Sequence, residues 1–180
     1  MKSRTLRFLP LVGGLAALLI ASSVAIAGSG QSTVAIARQA TEKFHDVAAA
    51  EAAGYGPFYI CTDNESLGAA MGQHYANIDL VLDPAIDPEK PEVLVYEPMP
   101  DGSLHLVGVE YVVFQDLWHD AFGPGTPSVL GIDLKPVPAP NRYGLPPFFQ
   151  RHVWLWKPNP LGMYEDWNSK VSCRGNGDPA

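Results

Sequence analysis

The chain has 180 residues, with 12 basic residues against 19 acidic ones and a formal charge of −7. That length suits one domain of ordinary size. The acidic balance excludes phosphate-backbone partners such as nucleic acid as the favoured reading.

Residues Met1 to Arg7 carry Lys2, Arg4 and Arg7 and no acid, and Phe8 to Ala27 are almost wholly apolar, ending in Ala25-Ile26-Ala27. This order of charged, apolar and small residues is that of a cleavable export leader. Gly13, Gly14, Ser22 and Ser23 dilute the apolar run, which argues against an uncleaved anchor. The expectation is a signal peptide over 1–27 and a single exported α+β domain over 28–180, secreted or periplasmic, with no membrane contact after cleavage. Without the leader, nine basic residues face nineteen acidic ones, a formal charge near −10. The acids are scattered, so they read as a solvated surface. Cys61 and Cys173 are the only cysteines, and in an exported chain they are expected to pair.

From Thr33 to about Ala53 good helix formers run without Gly or Pro, and Val34, Ala37, Thr41, Phe44, Ala48 and Ala52 fall near one stripe. The pattern predicts one amphipathic helix, stopped by Gly54 and Gly56 and laid on a sheet. Phe58 to Cys61 is a short strand candidate. The segment between Gly68 and Gly72 reads as a loop or one helical turn. Val93 to Glu97 and Leu104 to Phe114 flank Pro100-Asp101-Gly102 and predict an antiparallel hairpin. From Asp116 to Pro147 prolines and glycines crowd in, which predicts a long loop with one strand at Ser128 to Leu134. Arg151 to Trp156 is expected as a last strand, with His152, Trp154 and Trp156 on one face. The assembled fold is α+β, a helix packed on a curved antiparallel sheet with a long Pro/Gly-rich loop.

No HExxH, GxSxG, Walker A, GxGxxG or clustered Cys/His spacing occurs. The chemistry-bearing groups are instead His74, in a glycine-bordered loop, Glu97 and Glu110 on the two hairpin strands, and His152 on the last strand. Acids among Leu94, Val95, Val107, Val109, Val112 and Val113 are costly unless partnered. If they face one side, two imidazoles and a carboxylate suit zinc, iron or another divalent first-row metal, with an open position for water or a substrate oxygen. The same groups also suit a His/carboxylate acid–base pair or plain buried hydrogen bonds, such as Glu110 with Arg151 or His152.

Trp154 and Trp156, with Tyr75 and Tyr111 beside the histidine and the acid, offer a second reading. They would form an aromatic cleft for a small molecule or carbohydrate in a non-catalytic binding module, against the alternative that they are core. Met71-Gly72-Gln73-His74-Tyr75, Val109-Glu110-Tyr111, His152-Val153-Trp154-Leu155-Trp156, Asn159-Pro160-Leu161-Gly162-Met163-Tyr164 and Val171-Ser172-Cys173 together resemble a group of exported bacterial proteins. The resemblance spans most of the chain beyond the leader. It implies a bacterial origin and brings no activity or site residues.

Overall fold

The structure is a computed structural model that describes residues 27–176, with side chains over 33–175; the signal peptide expected over 1–27 lies, but for Ala27, outside the described residues. In chain order come helices α1 (Ala27–Thr41) and α2 (Val47–Ala52), strands β1 (Tyr55–Asn64) and β2 (Ala69–Asn77), and the single turn α3 (Ile78–Val81). Then follow β3 (Val93–Pro98), β4 (Leu104–Phe114), α4 (Gln115–Phe122), β5 (Ser128–Val129), β6 (Ile132–Asp133), β7 (Lys135–Val137) and β8 (Phe148–Val153). Six strands form one curled antiparallel sheet in the order β1-β2-β3-β4-β8-β7, and β5 and β6 pair separately.

The hairpin expected from alternation and turn chemistry is β3–β4, with Val93 opposite Glu110 and Pro98 opposite Leu104. Its register is not the simple one. Val95 faces Gly108 but Tyr96 faces Leu106, so Val107 is an extra residue and the ladder bulges there. Beside it lies β2, which the glycines had suggested was a loop. It is buried at every position but the last, and a strand covered on both faces shows no alternation to read. Gly72 marks a close approach: its φ is +99°, and a Cβ there would lie 2.6 Å from the Tyr96 carbonyl oxygen.

The helix expected over Thr33 to Ala53 is broken in two. A 3₁₀ turn, Glu42–His45, follows α1, and Asp46 has extended backbone while its side chain accepts from the Ala48 N–H, which starts α2. The break turns Phe44 inward, where its carbonyl accepts from the Tyr96 hydroxyl at 2.7 Å. The expected stripe holds only up to the break: Ala37 and Phe44 join Leu94, Tyr96, Val109, Tyr111, Val113, Phe149 and Val153 in the main core on one face of the sheet, but past it Ala48 and Ala52 are exposed and Ala50 is the buried residue.

The segment read as a long Pro/Gly-rich loop is partly built. It holds α4, a tight β5–β6 hairpin whose Leu130 and Gly131 both have positive φ, and β7, which pairs with β8. The last strand ends at Val153, three residues early. Trp154 N–H donates to Met163 and Trp156 N–H to Val107, so the chain leaves the ladder and the tryptophans lose their common face. Asn168 then clamps the C-terminal segment to β2 through two backbone bonds with Ala70, and a disulfide joins Cys61 to Cys173 across 112 residues. Among the described residues no helix is long and apolar enough to cross a membrane.

Candidate metal centre

The face of the sheet opposite α1 and α2 carries two small apolar clusters. Ala70, Val95, Val107, Trp154 and Val171 form one, and Ala76, Val93, Val112 and Phe148 the other. Strand alternation sends His74, Glu110 and His152 to this same face. Glu110 sits directly opposite His152 across β4–β8 and opposite Val93 across β3–β4, while His74 faces Val95 across β2–β3.

The three side chains converge, each at most 8% exposed. His74 Nε2 is 3.2 Å from His152 Nε2 and 3.5 Å from Glu110 Oε2, and Glu110 Oε1 is 3.4 Å from His152 Nδ1. One ligand atom from each residue lies within 4.8 Å of the other two. Metal–ligand bonds of about 2.0–2.1 Å in tetrahedral array put ligand atoms roughly 3.3–3.4 Å apart. Two of the spacings, His74 to His152 at 3.2 Å and His74 to Glu110 at 3.5 Å, are close to those around a bound ion, and with one ligand atom from each residue within 4.8 Å of the others this buried His/Glu/His group can hold a metal.

Hydrogen bonding fixes which nitrogens would face a bound ion. Gln150, two residues before His152 on the same face, donates through Nε2 to Asp166 Oδ1 at 3.2 Å and presents Oε1 to His152 Nδ1 at 3.2 Å. The carboxylate only accepts, so the amide carbonyl must point at the imidazole and His152 Nδ1 carries the proton. Its Nε2 lone pair is left facing His74 Nε2, which donates in the metal-free pair. His74 Nδ1 then has no hydrogen-bond partner among the described residues. Asp166 continues the chain to Lys135 at 3.4 Å. A ligand histidine whose far nitrogen is held by an amide and a carboxylate is the usual arrangement behind a metal.

Burial sets the charge state. It pushes His74 down to about 3, helped by His152, and His152 to about 3, helped by Lys135 and Arg151. The same burial, with Asp166 and Glu92 adding repulsion, raises Glu110 to about 8. At neutral pH the metal-free group is two neutral imidazoles and a carboxylic acid, so the imidazoles are joined by a hydrogen bond and Glu110 lies against them without forming ion pairs.

The other expected site residues are placed elsewhere. Glu97 faces His105 across the hairpin, pairs with Lys157, and accepts from the Ser172 N–H at 3.1 Å. The position of the turn puts it well along the strand from Glu110. Arg151 points to the Asp133 and Tyr164 carbonyls, leaving Glu110 to the histidines. Tyr75 and Tyr111 belong to the main core, Tyr111 donating to the Pro88 carbonyl at 2.8 Å. Trp154 is 2% exposed and stacked near His152, with Nε1 donating to the Glu165 carbonyl. Trp156 is half-buried on the helix side, edge-on to His45. Tyr75, Tyr111 and Trp154 are buried in the core and Trp156 packs against it.

An apolar pocket of about 220 Å³ does exist, but on other residues. Phe58, Val112, Tyr143 and Phe148 are among its walls, and His74 and Glu110 reach it. Sequence reading missed Gln150, Asp166 and Tyr143. Gln150 was findable from its spacing to His152; Tyr143 and Asp166 come from irregular segments that carry no periodicity. Comparison with family models, with curated proteins and with solved structures finds no match to the chain.

Proposed function

We propose that this chain is an exported divalent-metal-binding protein whose ion, zinc or another first-row metal, is held by His74, Glu110 and His152. The observation that carries the reading is the convergence of three buried ligand atoms, from three strands, within 4.8 Å of one another, two of the spacings being 3.2 and 3.5 Å. Two imidazoles and a carboxylate fill three positions and leave one open. Such a position lets an ion polarise a bound oxygen or activate water, so the site suits either catalysis or ligand capture. The leader-like residues Met1 to Ala27 and the Cys61–Cys173 disulfide support an oxidising, exported setting.

Elemental analysis of the mature protein, purified without chelator or affinity-tag metal, tests this. Near-stoichiometric metal in the parent and none in a folded His152→Ala, Glu110→Ala variant is the expected result. A parent that takes up no divalent ion under any loading condition sinks the proposal. A carbohydrate-binding module on Tyr75, Tyr111, Trp154 and Trp156 is less well supported, because three of the four are buried in the core.

A further inference from the structure

The pocket beside the three ligands has a chemistry of its own. Its polar lining is confined to His74, Glu110 and Tyr143, and the rest is apolar; no lysine or arginine reaches it. Ile78 and Leu82 of the α3 segment, each 57% exposed, are part of the lining. The pocket is partly open to solvent, and a ligand lying in it gives up the hydration of whatever meets these walls, so that part must be apolar. A dry cavity of about 150 Å³ accommodates benzene, so about 220 Å³ takes one ring with a short substituent.

Charge decides the substituent. Two neutral imidazoles and one carboxylate leave a divalent ion with one uncompensated positive charge in an apolar enclosure, which is costly. No other charged side chain lines the pocket to offset it. A monoanion at the open position makes the assembly neutral, and a carboxylate on an apolar body satisfies both demands.

We propose that the pocket binds a small apolar monocarboxylate, of the size of a single aromatic ring, whose carboxylate completes the coordination of the ion. This rests on the metal reading above.

The test uses the mature protein loaded with cobalt(II), whose visible bands report the ion's coordination, titrated with benzoate, acetate, benzyl alcohol and adamantane carboxylate. Benzoate is expected to change the bands saturably and to bind roughly tenfold to a hundredfold tighter than acetate, the gain from burying a ring. Benzyl alcohol, without the charge, and adamantane carboxylate, too large for the enclosure, should bind no better than acetate. Val81→Phe, which fills the pocket from α3, should keep the cobalt bands and lose the preference for benzoate. Cobalt bands that respond to benzoate no better than to acetate overturn the carboxylate proposal and leave the metal reading standing. Equal responses to benzoate and adamantane carboxylate overturn it too, without relying on any variant. If no cobalt bands appear at all, the metal reading fails and takes this proposal with it.

Discussion

His74 Nε2 lies 3.2 Å from His152 Nε2 although β3 and β4 separate their strands. Three strand spacings amount to about 14 Å in a flat sheet, further than two imidazole side chains reach together. The curl of the sheet therefore makes the site. Gly72 permits it at β2, and at β4 Gly108 does the same, since a Cβ there would sit 2.7 Å from the Val153 carbonyl oxygen. Gly108→Ala is expected to destabilise the fold by about 1–3 kcal/mol through overpacking and to weaken metal binding with it. Urea unfolding and metal titration of the variant check both; unchanged binding would separate the site from the curl.

Gln150 should matter to the metal without touching it. Gln150→Ala removes the acceptor that holds His152 Nδ1–H, and loss of such a partner costs roughly tenfold to a hundredfold in metal affinity. A competition titration against a coloured chelator measures this. Gln150→Glu keeps the acceptor for His152 but loses the donor to Asp166 and sets two carboxylates together, so part of the loss should remain.

Metal uptake should be coupled to proton release. Glu110, raised to about 8 by burial, must give up its proton to become a ligand, while both histidines, lowered to about 3, are already neutral. Apparent affinity should rise about tenfold per pH unit between roughly 5 and 8 and flatten above. Calorimetry in buffers of different ionisation enthalpy counts the proton. A pH-independent affinity over that range contradicts the assignment of Glu110 as a protonated acid.

The metal-free protein should be least stable at both ends of the neutral range. Glu92, buried and hydrogen-bonded to the Val112 N–H, is raised to about 8 like Glu110. Between the ordinary carboxyl value and 8 the folded state holds protons on these two acids that the unfolded state has lost, so their contribution falls as pH rises. The histidines act oppositely: between about 3 and 6.5 the unfolded state holds the extra protons, so stability rises with pH. The two trends oppose each other between about 4.5 and 6.5. Urea unfolding across pH 3.5 to 8.5 should show a maximum there and a decline from 6.5 to 8, with zinc removing the part due to Glu110.

Reducing the Cys61–Cys173 bond, or replacing both residues by serine, should lower stability by about 2–5 kcal/mol, given the 112-residue span it closes. Paired denaturant melts with and without reductant measure it.

The β3–β4 hairpin was legible in the sequence because alternation and turn residues both mark it. His74, Glu110 and His152 were legible as chemistry, since acids and histidines amid apolar runs stand out. Their convergence was not, because it depends on β2 being a strand, and a segment buried on both faces, with Gly72 inside it, carries no period. Glu97 was misplaced for a different reason: a turn at Pro100 to Gly102 already sets Glu97 opposite His105, five residues along β4 from Glu110, and the extra residue at Val107 lies beyond that pair. The aromatics at 154 and 156 alternate as a strand would, but the ladder ends at Val153, where tertiary bonds to Met163 and Val107 override the local pattern.

The most direct test of the central claim is the anomalous difference map of a crystal grown with zinc, recorded on both sides of the zinc edge. The account predicts a single strong peak at about 2.0–2.2 Å from His74 Nε2, His152 Nε2 and a Glu110 carboxylate oxygen, with Gln150 still bound to His152 Nδ1. Zinc found only on surface carboxylates, with the two imidazoles still hydrogen-bonded to each other, would contradict it.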